Sequence, residues 1–369
     1  MVGHTELKDG YKMLRQEGLL ELLGGIKRHY SDPHHILENQ LASFYYNRQR
    51  KQYTSQKKRI HQLIDEEEFI LIILDACRFD YFQRVYQDYF SGDLEKVWSE
   101  GSKTPQWIPR TWSEYYDLTY VSGAPYMSDH RKDMLSEEYT PSEHFDQIKG
   151  VWATDWDGKR FTTDPTAITN AALTEIANSE KNRLVVHHMQ PHQPYIGDGS
   201  DGFLENPEIP PWDMAETSLS PQEVYEFSNP KVIDGKDIDL PRCSILDRIK
   251  SGDLTIDEWR KCYENNLRSV LNEVKNITKY VDEDCTVVIS SDHGELLGER
   301  SELLNRILHM HPGDRIDPRL RCVPWLKLDQ EHLQGMDIPE SKINEGDQSE
   351  ADVTTDEVTK RLADLGYLN

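Results

Sequence analysis

The stretch TVVISSDHGE, residues 286–295, joins an apolar run rich in β-branched residues to a turn that contains an acid and a histidine. A short run of this kind, followed by a glycine-containing loop, predicts a buried strand. Asp292 and His293 would then stand at its carboxyl end, the edge at which open α/β sheets bind ligands. A carboxylate oxygen and an imidazole nitrogen form a ligand pair that suits zinc or manganese. The stretch therefore predicts an α/β sheet whose carboxyl edge can bind a metal.

Three other segments supply further ligands of the same types. FILIIL, residues 69–74, is the most apolar run of the chain and ends at Asp75. LVVHHMQPHQPY, residues 184–195, is a third apolar strand that runs into a histidine-rich loop stiffened by proline. LHMHP, residues 308–312, adds a further histidine group after the first stretch. We expect these three strand ends and one loop to converge at one edge of the sheet.

Five segments of the sequence together resemble the alkaline phosphatase and sulfatase superfamily. They are LDACRFD from Leu74, GSKTPQW from Gly101, HHMQPHQPY from His187, SDHGE from Ser290 and HMHPGDRIDPRLRCVPW from His309. They occur in the order that the family uses and span roughly residues 69–325. The last two are also similar to lipid-headgroup phosphotransferases, such as phosphoethanolamine transferases and lipoteichoic acid synthases. The resemblance implies a three-layer α/β fold of the alkaline phosphatase type, with a mainly parallel central sheet flanked by helices.

The resemblance also implies a metal and a nucleophile. Asp75, Asp292 and His293 match the ligands of the family's main metal. The family's nucleophile, which also touches that metal, matches Thr104, and Ser102 is the competing choice. A Thr hydroxyl is a poor nucleophile until a metal or a base assists its deprotonation. The start of a helix would add a positive dipole end that suits an anionic ester. Thr104 acting only as the cap of that helix is the alternative interpretation.

The histidines of the remaining two segments are implied to bind the substrate oxyanion or a second metal. His192 and His311 match these positions, with His309 competing with His311. His188 lies four residues before His192, a spacing similar to a ligand pair of two-metal phosphatases, although those enzymes usually have Asp there. The resemblance therefore implies one or two divalent ions, with zinc or manganese ahead of calcium or magnesium.

The cysteines argue against formylglycine chemistry. None of them lies in the Cys-x-Pro-x-Arg motif of most true sulfatases; they are Cys77, Cys243, Cys262, Cys285 and Cys322. We therefore expect a hydrolase or transferase of phosphate monoesters or diesters with Thr104 as nucleophile, acting on an anionic substrate such as a sugar phosphate or lipid-linked glycan. A formylglycine-independent sulfatase is one alternative. A catalytically silent binding or assembly protein is another.

The charge balance limits the partners. The chain has 369 residues with 66 acidic and 42 basic side chains, a net charge of −24. This excess argues against a nucleic-acid partner, since no basic stripe is present. A dispersed acidic surface, with no single acidic block to explain the excess, is typical of proteins from a high-salt cytoplasm, as in halophilic archaea. An acidic protein of an ordinary cell is the plainer interpretation.

The pattern divides the chain into three parts. Residues 1–62 are expected to form an amphipathic helix, from Tyr11 to Tyr30, and a connector; residues 63–336 form the catalytic domain, with an insertion or lid at 198–245; residues 337–369 form an acidic connector and a closing helix. The first helix could pack on its own domain, on a second subunit of a homo-oligomer, or on a membrane surface. With no signal-like segment, no long apolar run and no disulfide framework, we expect a cytoplasmic protein, with peripheral contact at the inner membrane face as the alternative.

Overall fold

The computed structural model describes residues 33–129, 135–157, 162–196, 251–301, 307–312 and 315–343, with positions 245, 249 and 305, and for residues 33–40 it describes the backbone alone. Its centre is an eight-stranded sheet in the order β1-β3-β12-β9-β2-β8-β4-β5. These strands are β1 (Thr54–Ser55), β2 (Phe69–Leu74), β3 (Gly92–Trp98), β4 (Tyr116–Ser122), β5 (Phe145–Gly150), β8 (Arg183–His188), β9 (Thr286–Ser290) and β12 (Cys322–Leu328). All neighbours pair in parallel except at β12, which runs antiparallel to both β3 and β9.

The helices and two small hairpins surround this sheet. The α-helices are α1 (Pro33–Gln49), α2 (Gln56–Ile64), α3 (Phe79–Val85), α4 (Thr104–Thr111), α5 (Val151–Thr154), α6 (Pro165–Asn178), α7 (Ile256–Thr278) and α8 (Pro318–Arg321). The hairpins pair β6 (Trp156–Asp157) with β7 (Thr162–Thr163) and β10 (Leu296–Arg300) with β11 (Ile307–Met310). Short 3₁₀ turns lie at Arg50–Gln52, Tyr86–Asp88, Pro141–Glu143, Gln330–His332 and Glu340–Lys342.

The central strand β2 is apolar along its whole length because both faces of the sheet are covered. Ile70 and Ile72 pack with the cluster under α3, α6 and α7, whereas Leu71 and Ile73 pack with the cluster under α2 and α4. A parallel sheet buried on both faces requires such continuous apolar strands, rather than alternating ones. The expected three-layer α/β fold with a mainly parallel sheet between helices is therefore confirmed.

Helix α7 is the longest helix in the described part of the chain. The Thr255 hydroxyl accepts a hydrogen bond from the Glu258 N–H, and the Glu258 carboxylate accepts one from the Thr255 N–H, which completes a capping box at its amino end. Trp259, Tyr263 and Leu267 recur at four-residue spacing and are all buried, so this face of α7 lies on the sheet. The helix therefore has a fixed position from which its polar side chains can reach the loops at the carboxyl edge.

The expected first domain boundary, at residues 62 and 63, falls inside α2. The short strand before this helix already belongs to the sheet, because Thr54 and Ser55 pair with Val97 and Trp98 at the end of β3. The expected amphipathic helix at Tyr11–Tyr30, nearly all of the insertion at 198–245 and the closing helix lie outside the described residues. Within the described part, no helix is both long enough and apolar enough to cross a bilayer.

Candidate metal centre

Two acids and a histidine meet where β2 and β9 end. Asp75 follows β2 directly, and Asp292 and His293 follow β9 by two and three residues. One potential ligand atom from each lies within 4.8 Å of the others, and all three side chains are fully buried. His293 Nε2 is 3.4 Å from Asp75 Oδ1 and 3.3 Å from Asp292 Oδ2. The structure thus brings together the three residues that were predicted to bind the main metal.

A hydrogen bond to the backbone orients the ring of His293. Its Nδ1 lies 2.8 Å from the carbonyl oxygen of Gly294. A carbonyl only accepts, so Nδ1 carries the proton and Nε2 directs its lone pair at the two carboxylates. Gly294 has no room for a side chain, because a Cβ there would lie 2.0 Å from the backbone oxygen of Arg319. The glycine of the SDHGE motif therefore lets the chain before β12 approach the histidine closely.

The turn after β2 has a strained backbone at Ala76, and this conformation directs an N–H to Asp292. Ala76 adopts φ = 60°, which is uncommon for a residue with a side chain. Its N–H donates to Asp292 Oδ1 at 3.1 Å. Tyr263 of α7 holds this turn, since its hydroxyl donates to Ala76 O at 2.7 Å and accepts from Arg78 N at 2.9 Å. Helix α7 thus stabilises the conformation that links Asp75 to Asp292.

Thr104 is the hydroxyl that reaches this group. Its Oγ1 donates to Asp292 Oδ2 at 2.8 Å and lies 3.3 Å from His293 Nε2. It is the first residue of α4, and Lys103, not Thr104, occupies the cap position. The alternative role of Thr104 as a helix cap is therefore not what the structure shows. Ser102 turns elsewhere, with its hydroxyl donating to the carbonyl oxygen of Arg315 at 3.1 Å.

A second buried group lies beside the first. It consists of His192, Glu295 and His311, whose potential ligand atoms also lie within 4.8 Å of one another. His311 Nδ1 is 3.1 Å from Glu295 Oε2. The ring centre of His311 is 5.1 Å from that of His192 and 4.8 Å from that of His293. His311 therefore stands between the two groups, which form one continuous site.

Glu295 is the member of this site that sequence reasoning missed. It ends the SDHGE motif, for which no role of the glutamate was predicted. The available signal was its position directly before Leu296 and Leu297, both fully buried in β10, because a carboxylate next to a buried hairpin needs a partner of its own. One oxygen, Oε1, is buried and has no hydrogen-bond partner among the described residues.

Burial sets the charge state of the site. It lowers the pKa of His192 to about 3 and that of His311 to about 4, and it lowers the pKa of His293. These rings are therefore neutral at pH 7, the form that binds metal. Burial raises the pKa of Glu295 to about 7. For Asp292 burial acts upward, but the nearby His293 and the hydrogen bond from Thr104 help to hold its pKa below the ordinary value.

The composition of the two groups fits divalent cations. Three carboxylates are buried within one site beside neutral imidazoles, and buried charges of one sign require a counter-charge or a metal. The first group offers Asp75, Asp292 and His293 with Thr104 in reach, and the second offers nitrogen and oxygen ligands including the unpartnered oxygen of Glu295. Mixed nitrogen and oxygen donors suit zinc or manganese more than calcium or magnesium.

Three other histidines considered from the sequence lie outside both groups. His188 is fully buried, and neither ring nitrogen has a hydrogen-bond partner among the described residues. Nδ1 of the neighbouring His187 shares a 2.9 Å hydrogen bond with the hydroxyl of Tyr120. His309 lies half-buried on β11, in register with Leu297. Of the candidates in the two histidine segments, the structure therefore places His192 and His311 in the site.

Two buried amides fix the loops that carry the site. Asn266 of α7 donates to the carbonyl oxygens of Pro191 and His192, the latter at 3.1 Å, and accepts from Ile196 N. Gln56 of α2 donates to the Ser291 carbonyl at 2.6 Å and accepts from the indole of Trp107 in α4. Neither amide was predicted, because amides spaced far from the motifs give no local signal of such contacts.

Comparisons with known proteins were made for sequence and structure. No protein-family model and no curated protein matches the sequence. Solved structures similar to the chain include the integral membrane lipooligosaccharide phosphoethanolamine transferase A of Neisseria meningitidis, with 13% identity, a TM-score of 0.42 and coverage of 89% of this chain. The chain spans 63% of the length of that enzyme.

Two further matches have the same range of similarity. The periplasmic domain of a phosphoethanolamine transferase from Escherichia coli, in complex with zinc, is 12% identical, with a TM-score of 0.38 and coverage of 73% of this chain and 75% of that one. A protein of Bacteroides thetaiotaomicron described as a sulfatase is 9% identical, with a TM-score of 0.37 and coverage of 72% of this chain and 65% of that one.

Proposed function

We propose that this protein is a metal-dependent enzyme of the alkaline phosphatase and sulfatase superfamily that transfers or hydrolyses phosphate esters. The observation that carries the proposal is the contact of the Thr104 hydroxyl with Asp292, at 2.8 Å, inside a buried group of two acids and a histidine. A hydroxyl that only satisfied its own hydrogen bond in the core would not need to lie within 3.3 Å of both a buried carboxylate and a buried imidazole.

The metal ligands are assigned as follows. Asp75, Asp292 and His293 would hold one divalent cation, and His192, Glu295 and His311 could hold a second. When bound, such a cation supplies positive charge that attracts the anionic ester and favours loss of a proton from a neighbouring hydroxyl. This charge is needed because the chain carries a net charge of −24, which would otherwise repel an anionic substrate.

The side chains of the protein carry the reaction itself. Thr104 Oγ1 forms a bond to phosphorus while the bond from phosphorus to the leaving oxygen breaks, and the hydroxyl proton passes toward Asp292 Oδ2, to which it is already directed. The amino end of α4 adds a positive dipole end beside the ester. His192 and His311, whose rings are neutral, would serve the transition state as ligands of the second cation. Water or an acceptor hydroxyl then bonds to phosphorus and releases its proton to solvent. The bond from phosphorus to Thr104 Oγ1 breaks, and the proton held by Asp292 returns to Thr104.

The choice of phosphate over sulfate rests on the nucleophile. Cys77, the cysteine of the first motif, is buried with its thiol pKa raised by burial, and its backbone N–H is used to hold Ser291. The side chain at the first group is instead Thr104, which cannot become formylglycine. We therefore rank phosphate esters, including sugar phosphates and lipid-linked glycans, before sulfate esters.

The test compares aryl phosphate, bis-aryl phosphate and aryl sulfate turnover by protein loaded with zinc or manganese. We expect Thr104→Ala to lower kcat/KM for the preferred phosphate by about 10³-fold or more, Thr104→Ser to retain part of it, and the matched control Ser102→Ala to retain most of it. Metal content is measured on each variant. Full activity of Thr104→Ala would move the nucleophile elsewhere, preference for the sulfate would make the protein a sulfatase, and metal-loaded protein without turnover would identify a silent binding protein.

A further inference from the structure

Helix α1 exposes an apolar stripe to solvent. Among the described residues five large hydrophobic side chains are exposed, and three of them lie on this helix. They are Leu41, Phe44 and Tyr45, with exposed fractions of 50%, 72% and 58%. Their spacing of three and four residues places them on one face, and exposed Arg48 continues that face by one more turn. We refer to these four side chains as the α1 stripe.

The opposite face of α1 contacts the segment that precedes α8, at the edge of the sheet that carries the candidate metal centre. Tyr46 is buried, and the Ser43 hydroxyl accepts a hydrogen bond from Ile316 N at 3.1 Å. Ile316 follows Arg315, whose carbonyl accepts from Ser102, two residues before Thr104. Because these contacts fix which side of α1 faces the domain, the α1 stripe points outward on the edge of the sheet that carries the site.

The chain around the α1 stripe is unusually free of acids. Residues 39–64 contain no Asp or Glu, although the whole chain has 66. The basic residues of this segment are Arg48, Arg50, Lys51, Lys57, Lys58 and Arg59. Arg50 pairs with Glu100 and Arg59 with Glu95, whereas Arg48, Lys51 and Lys58 are exposed. A cationic, aromatic surface is therefore set apart from a protein that is otherwise strongly acidic.

We propose that the α1 stripe and its neighbouring cations bind the surface of an anionic lipid bilayer. Leucine and aromatic side chains enter the interfacial layer, and exposed lysine and arginine meet the negative headgroups. The acidic surfaces of the described part of the chain are repelled by the same bilayer, which favours approach by this side among the described surfaces. A second copy of the chain fits this face less well, since an isologous contact would place the same cations opposite one another.

The consequence for the substrate rests on the proposed function. A bilayer bound to the α1 stripe lies on the same edge as Thr104 and the two ligand groups, so the ester presented to them is that of a lipid-linked phosphate. The binding step itself does not depend on catalysis, and the two can be tested apart.

The experiment is flotation of the full chain with vesicles of phosphatidylglycerol and phosphatidylcholine, beside vesicles of phosphatidylcholine alone. We expect binding to the anionic vesicles, and the double variant Phe44→Ser with Tyr45→Ser should lower the partition coefficient by about tenfold or more. Tyr115→Ser is the matched control, because Tyr115 is 61% exposed but lies before β4, at the opposite edge of the sheet. It should float as the wild type does.

A charge pair of variants tests the electrostatic part. Arg48→Glu with Lys51→Glu should weaken binding to anionic vesicles, whereas Lys261→Glu, an exposed position on α7, should not. The proposal is overturned if the wild type does not float with anionic vesicles, if the Phe44 and Tyr45 double variant floats normally, or if that variant instead converts a dimer to a monomer. Turnover of a soluble aryl phosphate is measured on every variant; flotation without any turnover would reject the proposed function and leave the membrane surface standing.

Discussion

At the scale of single residues, Glu295 provides a test of whether the site binds one metal ion or two. It is the carboxylate of the second group, and its oxygen Oε1 has no hydrogen-bond partner in the described part of the chain. Glu295→Gln keeps the size of the side chain but removes its charge and one oxygen ligand. We expect this variant to bind one equivalent of zinc fewer than the wild type, with the equivalent at Asp75, Asp292 and His293 retained.

Metal content after exhaustive buffer exchange and titration calorimetry measure this difference. Glu299→Gln is the control in the same hairpin, because Glu299 pairs with Arg78 and belongs to neither group. Equal metal content in wild type and Glu295→Gln would show that the second group holds no metal and that Glu295 acts only as a partner of His311.

His188 couples folding to pH. Burial, with a smaller effect of His187, lowers its pKa to about 3 from an ordinary value of 6.5. The unfolded chain therefore binds this proton more tightly than the folded chain, and stability is lost as pH falls below 6.5. Between pH 7 and pH 5 the loss from this histidine alone is about 2 kcal/mol.

Urea unfolding of metal-free protein at the two pH values measures this loss for wild type and His188→Gln. The variant should lose about 2 kcal/mol less than the wild type over the same interval. Comparing the two proteins cancels the other buried groups, among them Glu295, whose raised pKa acts in the opposite direction. An identical loss in both proteins would contradict the assignment of a neutral, buried His188.

At the scale of elements, helix α7 holds the His192 loop by hydrogen bonds, and Asn266 makes those to the backbone beside His192. Asn266 is fully buried and bonds to the carbonyls of Pro191 and His192 and to the N–H of Ile196. Asn266→Ala leaves these groups unsatisfied, which costs about 1–3 kcal/mol. We expect kcat/KM to fall by about 10–100-fold, because His192 loses its fixed position.

Enzyme kinetics and metal content distinguish this effect from general loss of structure. The first ligand group should keep its metal, since none of its members touches Asn266. Asn272→Ala, an exposed position on the same helix, should leave both activity and stability nearly unchanged. If Asn266→Ala keeps full activity while losing stability, the amide serves the fold and not the site.

At the scale of the whole molecule, a net charge of −24 opposes the compact state. Added salt screens this repulsion, because the screening length falls from about 10 Å at 0.1 M to about 3 Å at 1 M. We therefore expect the Tm at pH 7.5 to rise steeply between 0.1 M and 1 M KCl, and a further rise at 3 M would support the high-salt origin that the composition suggests.

Thermal unfolding followed by circular dichroism gives the measurement. The internal control is the same salt series at pH 5, close to the isoelectric point of about 5.0, where there is little net charge to screen and the Tm should change much less. A Tm that is independent of KCl at pH 7.5 would mean that the acidic residues are spaced too widely to repel one another.

The sequence by itself determined the strands and the types of ligand. β2 was predicted at its observed bounds, β9 within one residue and β8 within two, because continuous apolar runs between turn residues are local signals of buried parallel strands. The order of acids and histidines after these runs then identified Asp75, Asp292 and His293 as residues of one edge, since parallel strands end together.

Only the tertiary structure decided which of the neighbouring candidates reach the site. His188 and His192 are both histidines of one segment, and the sequence does not distinguish them as ligands. In the structure His188 is the last residue of β8 and is fully buried outside the ligand groups, whereas Asn266 of α7 holds the loop with His192 at the carboxyl edge. Helix α4 begins at Thr104, which places this hydroxyl and not that of Ser102 at the ligand group. The pairing of β10 with β11 brings Glu295 close to His311. Such choices depend on the register and packing of elements far apart in the chain, and distances of a few ångströms between side chains leave no local trace in the sequence.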